Sequence, residues 1–166
     1  ILWLGIIAVS INVLASLVVR KGKTKNESAF FGGLAGNAGL FSTARDVARV
    51  YQMLLNGGEI DGQRYLSKET CQLFTTETSK ISRRGLGFDK PDADDPKKGN
   101  CAPAAPAEVY GHTGFTGTCA WVDPVNELVY VFFSNRIYPD VTNRKLNQLH
   151  IRERIQGAIY DAMKKK

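Results

Sequence analysis

The stretch that most constrains this chain is VYGHTGFTGTCAWVDPVNELVYVFFS, residues 109 to 134. Apolar and β-branched residues gather in three runs, 109 to 112, 117 to 123 and 127 to 134, a pattern that predicts strands. DPVNE between the last two supplies the turn, so those runs form an antiparallel pair. VYVFF is apolar enough for a central strand. A sheet of this kind must bury one face against something, and the closing residues offer it. Helical spacing of Leu146, Leu149, Ile155, Ala158, Ile159 and Ala162 predicts one helix over about 144 to 163, laid on the sheet.

Upstream, the residues are helix and loop. FFGGLAGNAGLFSTARD carries Gly32, Gly33, Gly36 and Gly39 and reads as a tight, shaped loop before a helix start. It has neither Gly-x-Gly-x-x-Gly nor Gly-Lys-Ser/Thr, so a phosphate cradle is not expected. Thr43 or Ser42 caps the helix, with Asp46 three residues after Thr43 in capping-box fashion. Val47, Val50, Tyr51, Leu54 and Leu55 form its apolar stripe, and Asn56-Gly57-Gly58 ends it. GEIDGQRYLS predicts a short hairpin turning at Asp61-Gly62, and Ser67 caps a second helix running through Phe74. Residues 75 to 84 are a polar loop. Residues 89 to 107, with Pro91, Pro96, Pro103 and Pro106, are a longer one that suits a lid, an insertion or a disordered tip.

Composition excludes several classes of function. A chain of 166 residues, 43% hydrophobic, has enough apolar material for one folded domain. Its net charge of +6 owes four charges to Arg20, Lys21, Lys23 and Lys25, and without them 18 basic residues face 16 acidic ones. With no basic patch interleaved with aromatics, nucleic acid is not an expected partner. The two histidines, His112 and His150, and the widely spaced Cys71, Cys101 and Cys119 offer no zinc-ligand spacing, and the disulfide state of the three cysteines stays open.

The opening run ILWLGIIAVSINVLASLVV, residues 1 to 19, has no charge, and as a helix rising about 1.5 Å per residue it would span a bilayer core. Two readings stand: a membrane anchor or uncleaved signal-like segment, or a core helix or strand pair of a larger domain in which Asn12 and the serines meet polar partners. The basic cluster after it would keep the body cytoplasmic under the positive-inside rule. The expected organisation is a hydrophobic segment at 1 to 19, a basic polar connector at 20 to 28 and a partial domain at 29 to 166.

The ordered set GLAGNAGLFSTARDVARVYQMLLNGG, LGFD, YGHTGFTGT and VFFSNRIYP, followed by an amphipathic helix, resembles the C-terminal half of the serine β-lactamase and penicillin-binding-protein-like hydrolases. The resemblance is to the branch with class C-type esterases and D-alanyl-D-alanine peptidases, and it covers roughly residues 27 to 163. It implies an α+β fold, the C-terminal part of the β-lactamase/transpeptidase-like architecture. It also implies a small acyl or peptide substrate, no cofactor, and an envelope setting that conflicts with the basic cluster. Carried over residue by residue, it makes His112 and Thr113 polar groups facing substrate and Gly114 the position that keeps the strand clear. The backbone N–H of Phe115 becomes an oxyanion donor.

That family activates a serine with a lysine one turn later, since groups at i and i+3 share a helix face. Ser42-Thr-Ala-Arg45 ends in an arginine, which cannot serve as a base, and Ser79, Ser82 and Ser134 have no lysine at the third position. Thr142-Asn-Arg-Lys145 has the spacing but follows the His-Thr-Gly, against the family order. Ser10-Ile-Asn12, matching Ser-x-Asn, lies inside the apolar run. No catalytic residue is therefore assigned. Three readings follow: an inactive C-terminal portion of a hydrolase belonging to a longer chain, a membrane-tethered module that binds peptidoglycan-like or acyl ligands without turnover, or a partial site completed by another chain. The first expects a marginal fold, because a half-domain leaves a sheet edge and an apolar face uncovered.

Overall fold

A computed structural model describes residues 40–76, 81–92, 94–95 and 99–164 of the chain. The segments at 1 to 19 and 20 to 28 lie outside the described residues. The chain divides into two compact units, residues 1–46 and 47–166. In the first, Thr43 Oγ1 accepts the Asp46 N–H at 3.2 Å and donates to the Asp46 carboxylate at 2.8 Å, so side chain and backbone cap one another as the capping box requires.

Helix α1 is Ala44–Leu55. Its predicted stripe is half-buried, and the fully buried residue is Met53, which the stripe omits. Gly57 and Gly58 end the helix at φ 67° and 96°, and the Gly58 N–H returns to the Met53 carbonyl at 2.8 Å. A Cβ on Gly58 would lie 2.2 Å from the Leu66 carbonyl oxygen, so only glycine fits. Strands β1 (Glu59–Ile60) and β2 (Gln63–Arg64) pair across Asp61-Gly62, whose φ values of 52° and 74° are those of the predicted hairpin turn. Ser67 Oγ accepts from the Thr70 N–H at 3.1 Å and opens α2, Lys68–Thr75.

Three antiparallel strands in the order β3-β4-β5 make the main sheet: β3 Tyr110–Thr113, β4 Cys119–Asp123 and β5 Leu128–Phe132. The fold is therefore α+β with an antiparallel sheet; β4 and β5 are shorter than their apolar runs, and β3 has the length of its run shifted one residue onward. Register sets Gly111 opposite Trp121 and Trp121 opposite Tyr130, so these residues share one face with Cys119 and Phe132. Trp121, 1% exposed, centres a core with Val109, Cys101, Cys119 and Tyr130, with Phe132 and Ile159 packed against it. On the other face Tyr110 meets the edge of Phe88 at 5.3 Å, and Phe88 meets Tyr51 of α1 at 6.2 Å.

The single closing helix expected over 144 to 163 is two helices, α3 (Lys145–Gln148) and α4 (Ile151–Met163), broken where His150 turns left-handed at φ 48°. The break resets the helical phase, and the expected apolar stripe is not the buried one. Leu149 and Ile155 are exposed, as are Ala158 and Ala162, while Arg152, Glu153, Gln156 and Tyr160 are buried. Partners on the sheet and its loops hold the helix in place and satisfy Gln156 and Tyr160. Tyr130 donates to the Arg152 carbonyl at 3.1 Å, Gln156 Oε1 accepts the Ala102 N–H at 2.8 Å, and Tyr160 donates to Asp123 Oδ2 at 2.8 Å. Arg152 also donates to Asn147 at 3.2 Å, which ties α4 to α3.

Asp123 is a hub. Its Oδ1 accepts the N–H groups of Val125 and Asn126 at 2.9 and 3.0 Å, shaping the β4–β5 turn, while Oδ2 takes the Asn126 amide and the Tyr160 hydroxyl. The long loop at 89 to 107 is pinned at its described ends. Asp89 bonds to Gly111, and Gly99, Cys101 and Ala102 are buried. Arg83 Nη2 donates to Asp89 Oδ2 at 3.1 Å, with its Nε 2.8 Å from Oδ1 as an ion pair that is not aligned as a hydrogen bond. Asn100 adds a bond at 2.9 Å. Burial alone would raise the Asp89 carboxyl, but hydrogen bonds from Arg83 and Asn100 and the guanidinium charge hold it below the ordinary carboxylate range.

Two outcomes follow. Tyr160→Phe removes a buried bond to a carboxylate and should cost about 1.5–3 kcal/mol, read as a lower urea midpoint at unchanged slope; an unmoved midpoint would show that the bond contributes nothing net. Asp89 has a folded pKa below its unfolded value of about 4, so its stabilisation is fully present above that pH and is lost as pH falls through the lowered folded value. Unfolding free energy measured from pH 6 to pH 2 should therefore drop less steeply in Asp89→Asn than in wild type, and equal acid slopes would refute the assignment.

Candidate functional site

The four residues singled out from the sequence, His112, Thr113, Gly114 and Phe115, lie together where β3 runs out into the turn before β4. One face of β3 is held by β4. Its other edge is partly used: the Asp89 N–H donates to the Gly111 carbonyl at 2.7 Å, and the Gly111 N–H donates to the Asp89 carbonyl at 3.0 Å. These bonds fix which way each peptide group points. In an antiparallel pair successive residues alternate between partner and open edge. Gly111 faces the open edge, and Gly114 faces β4, its N–H donating to the Thr118 carbonyl at 2.8 Å. The alternation turns the Thr113 peptide groups to that edge, which is open beyond Gly111 in that no strand among the described residues pairs with it there. The Phe115 N–H, next beyond Gly114, has no hydrogen-bond partner among the described residues.

Side chains alternate as well, so His112 and Thr113 leave the strand on opposite faces. His112 is exposed, with Nδ1 2.6 Å from the Thr113 carbonyl oxygen. A carbonyl only accepts, so Nδ1 carries the proton, and in the neutral ring Nε2 presents its lone pair outward. The ring is thereby oriented beside the open edge. Thr113 is half-buried on the Trp121 face, opposite Cys119.

Both flanking glycines have steric reasons. A Cβ on Gly111 would come within 2.1 Å of the Ala120 oxygen and 2.7 Å of the Trp121 ring, so the indole occupies the room a side chain would take. A Cβ on Gly114 would lie 2.3 Å from Thr118 Oγ1. Gly117, at φ 93°, abuts Ser134 Oγ and Leu146 Cδ2 at 2.5 and 2.6 Å from the position of a Cβ.

The segment after β5 backs this turn, a role that sequence reasoning missed. Arg136 N–H and Ser134 Oγ both donate to the Thr116 carbonyl, at 3.0 and 3.3 Å, and the Arg136 guanidinium sits 4.8 Å from the Phe115 ring centroid. SNR in VFFSNRIYP was the available signal, though only the fold brings it to the turn. A cleft of about 280 Å³ lies on the far side of this segment, between Ser134–Arg136 and Lys145, Leu146, Leu149 and Ile151.

No alternative nucleophile stands among the described cysteines. Burial pushes the Cys101 thiol up to about 12 and Cys119 up to about 11, and raises Cys71 as well, leaving all three buried and protonated near neutrality. Among the described residues, no three His, Cys, Asp or Glu side chains converge as a metal site.

The β-lactamase family model matches residues 11–153. A protein of Escherichia coli O157:H7 provisionally named a D-alanyl-D-alanine carboxypeptidase is 36% identical over 128 residues, 76% of this chain and 29% of that protein. Similarly named proteins of Escherichia coli K12 and Salmonella typhi are 35% and 34% identical over the same share of each chain. The chain spans about 29% of the length of these curated relatives. Among solved structures, a penicillin-binding protein homologue from Caulobacter crescentus matches with a TM-score of 0.46 and 26% identity, over 57% of this chain and 26% of that one. With the family pattern extending over most of its residues, the chain belongs to the β-lactamase family.

Proposed function

We propose that the open edge of β3 is the substrate-binding wall of a β-lactamase-related serine hydrolase, and that the residues present here do not complete its catalytic machinery. The observation that carries this reading is the pairing of Asp89 with Gly111, which by strand alternation turns the Thr113 and Phe115 peptide groups to the same edge, where no described strand pairs with them. An extended acyl-peptide laid along the edge would exchange backbone hydrogen bonds with Thr113, as a strand added to a sheet does. Its scissile carbonyl would then approach the Phe115 N–H, which donates to the oxygen as negative charge develops on it. Nε2 of His112 would accept a substrate N–H when neutral, or donate to a carboxylate when protonated.

The substrate class is an acyl-D-alanyl-D-alanine peptide or a related small acyl compound, supported by the names of the relatives. That chemistry belongs to a cell envelope, and among the described residues no helix is long and apolar enough to cross a membrane. Turnover needs a nucleophile and a base, and none of the 166 residues forms a Ser-x-x-Lys pair. The chain alone is thus inactive while retaining the wall.

Intact-mass measurement after incubation with a fluorescent penicillin and with a fluorophosphonate tests the inactivity, with an unmodified chain expected. A stoichiometric adduct would overturn it and, once the labelled peptide was sequenced, name the nucleophile. The wall is tested separately by titrating the ¹⁵N-labelled chain with diacetyl-L-lysyl-D-alanyl-D-alanine. Amide shifts should concentrate at 112 to 116, and His112→Ala should weaken them about fivefold, the loss of one hydrogen bond of about 1 kcal/mol. Shifts scattered over the surface, or none, would reject the wall.

A further inference from the structure

The turn that carries the Phe115 N–H is not shaped by its own sequence alone. Residues 114 to 117 close with the Gly114–Thr118 bond and a Gly117 N–H to Gly114 carbonyl bond at 2.9 Å, which leaves the middle of the turn to be held from outside. Three contacts do so, all from Ser134 and Arg136. The Arg136 N–H and the Ser134 hydroxyl converge on the one carbonyl of Thr116, and the Arg136 guanidinium covers a face of Phe115, whose ring is otherwise 70% exposed. The guanidinium is steadied in turn by a weak bond from Nη1 to the Val141 carbonyl at 3.4 Å. A large exposed aromatic has no hydrophobic reason to stay still, and a cation over its face gives it one.

We infer that Arg136 is a positioning residue for this site: by stacking on Phe115 while its backbone and Ser134 hold Thr116, it fixes the peptide plane between Gly114 and Phe115 and so the direction of the Phe115 N–H. A donor contributes to an oxyanion site only if aimed before charge develops, because reorienting it during the reaction forfeits the gain. Gly117 is part of the same arrangement, since it admits Ser134 Oγ and the Arg136 side chain where a Cβ would stand. The inference rests on the reading of the Phe115 N–H as an oxyanion donor, but the positioning itself is measurable without any ligand.

The test uses the ¹⁵N- and ¹³C-labelled full chain. In wild type the Arg136 δ-protons should be shifted upfield by the Phe115 ring, and the Phe115 and Thr116 amides should show order parameters near about 0.85. Arg136 δ-protons at unperturbed positions would overturn the inference at once. Arg136→Ala should lower the order parameters at 115 and 116 below about 0.6 while those of 110 to 113 and 119 to 123 stay as in wild type. Arg136→Lys, which restores a cation without the guanidinium, should recover part of the loss. Phe115→Leu, which removes the ring and keeps the N–H, should release the Arg136 side chain with no loss of sheet order. An equally rigid turn in Arg136→Ala would sink the proposal, as would uniform loosening of the sheet, which marks a merely structural residue. Peptide titration then separates the two levels. Wild-type shifts at 112 to 116 that persist unchanged in Arg136→Ala would reject positioning and keep the wall, whereas a rigid wild-type turn with no peptide shifts would reject the wall and keep the stack.

Discussion

The indole of Trp121 lies where a side chain at position 111 would have to go, and much of the sheet follows from that exclusion. Glycine at 111 lets β3 approach β4 closely enough for the ring to pack across both strands and join Val109, Cys101, Cys119 and Tyr130 in one core. The same glycine is the residue that Asp89 pairs with on the other edge, so one position serves the core through its missing side chain and the open edge through its backbone. His112 is carried immediately after it. The strand that presents the histidine is therefore placed by burial of a tryptophan, and no interaction of the histidine itself is needed to put it there.

Polar burial does an unusual share of the packing on that face. Arg152, Glu153 and Gln156 are turned inward on α4, at positions where an amphipathic pattern would show leucine or isoleucine. Gln156 and Tyr160 are satisfied by single, well-placed partners, whereas Arg152 Nε, Glu153 Oε2 and Trp121 Nε1 are buried with no hydrogen-bond partner among the described residues. Periodicity sees only apolarity, so it assigned the buried face to Leu146, Leu149, Ile155, Ala158, Ile159 and Ala162, of which Ile159 packs against the core and Leu146 is half-buried while the other four are exposed. It also ran one helix through His150, because nothing in the local sequence announces a left-handed residue there. The break and the inverted face are tertiary effects, set by Asp123, Ala102 and Tyr130 reaching for groups on the helix. By contrast, Thr43 and Asp46, Asp61-Gly62 and Ser67 were legible because each acts within four residues of itself.

The candidate site divides along the same line. His112, Thr113, Gly114 and Phe115 could be picked out because the family pattern spells them in order. Their usefulness depends on facts that are not local. The outward direction of the Thr113 and Phe115 peptide groups is decided by Asp89, more than twenty residues upstream, through an isolated pair of bonds to Gly111. The stillness of the turn depends on Ser134 and Arg136, on the far side of the hairpin. Both sets of residues lie inside the family pattern, Asp89 in LGFD and Ser134 and Arg136 in VFFSNRIYP, but only the fold shows that they reach β3 and its turn.

Most of these supports fall within residues 83 to 136: the Arg83–Asp89 pair, the Asp89 bonds to Gly111, and the Ser134 and Arg136 contacts, with Ile159 of α4 packed against the Trp121 core. None requires the element that bears a nucleophile. Among the described residues, the shape of this edge is set by core burial and by bonds within the hairpin and its adjoining loop. A serine and its lysine, by contrast, must share a helix face and be aimed at this wall from another part of the fold. Binding geometry and chemical power are thus supplied by separate parts of such a hydrolase. In the proposed reading the Gly-His-Thr-Gly edge is shaped by contacts that include no Ser-x-x-Lys pair, so its geometry and its turnover are separately testable.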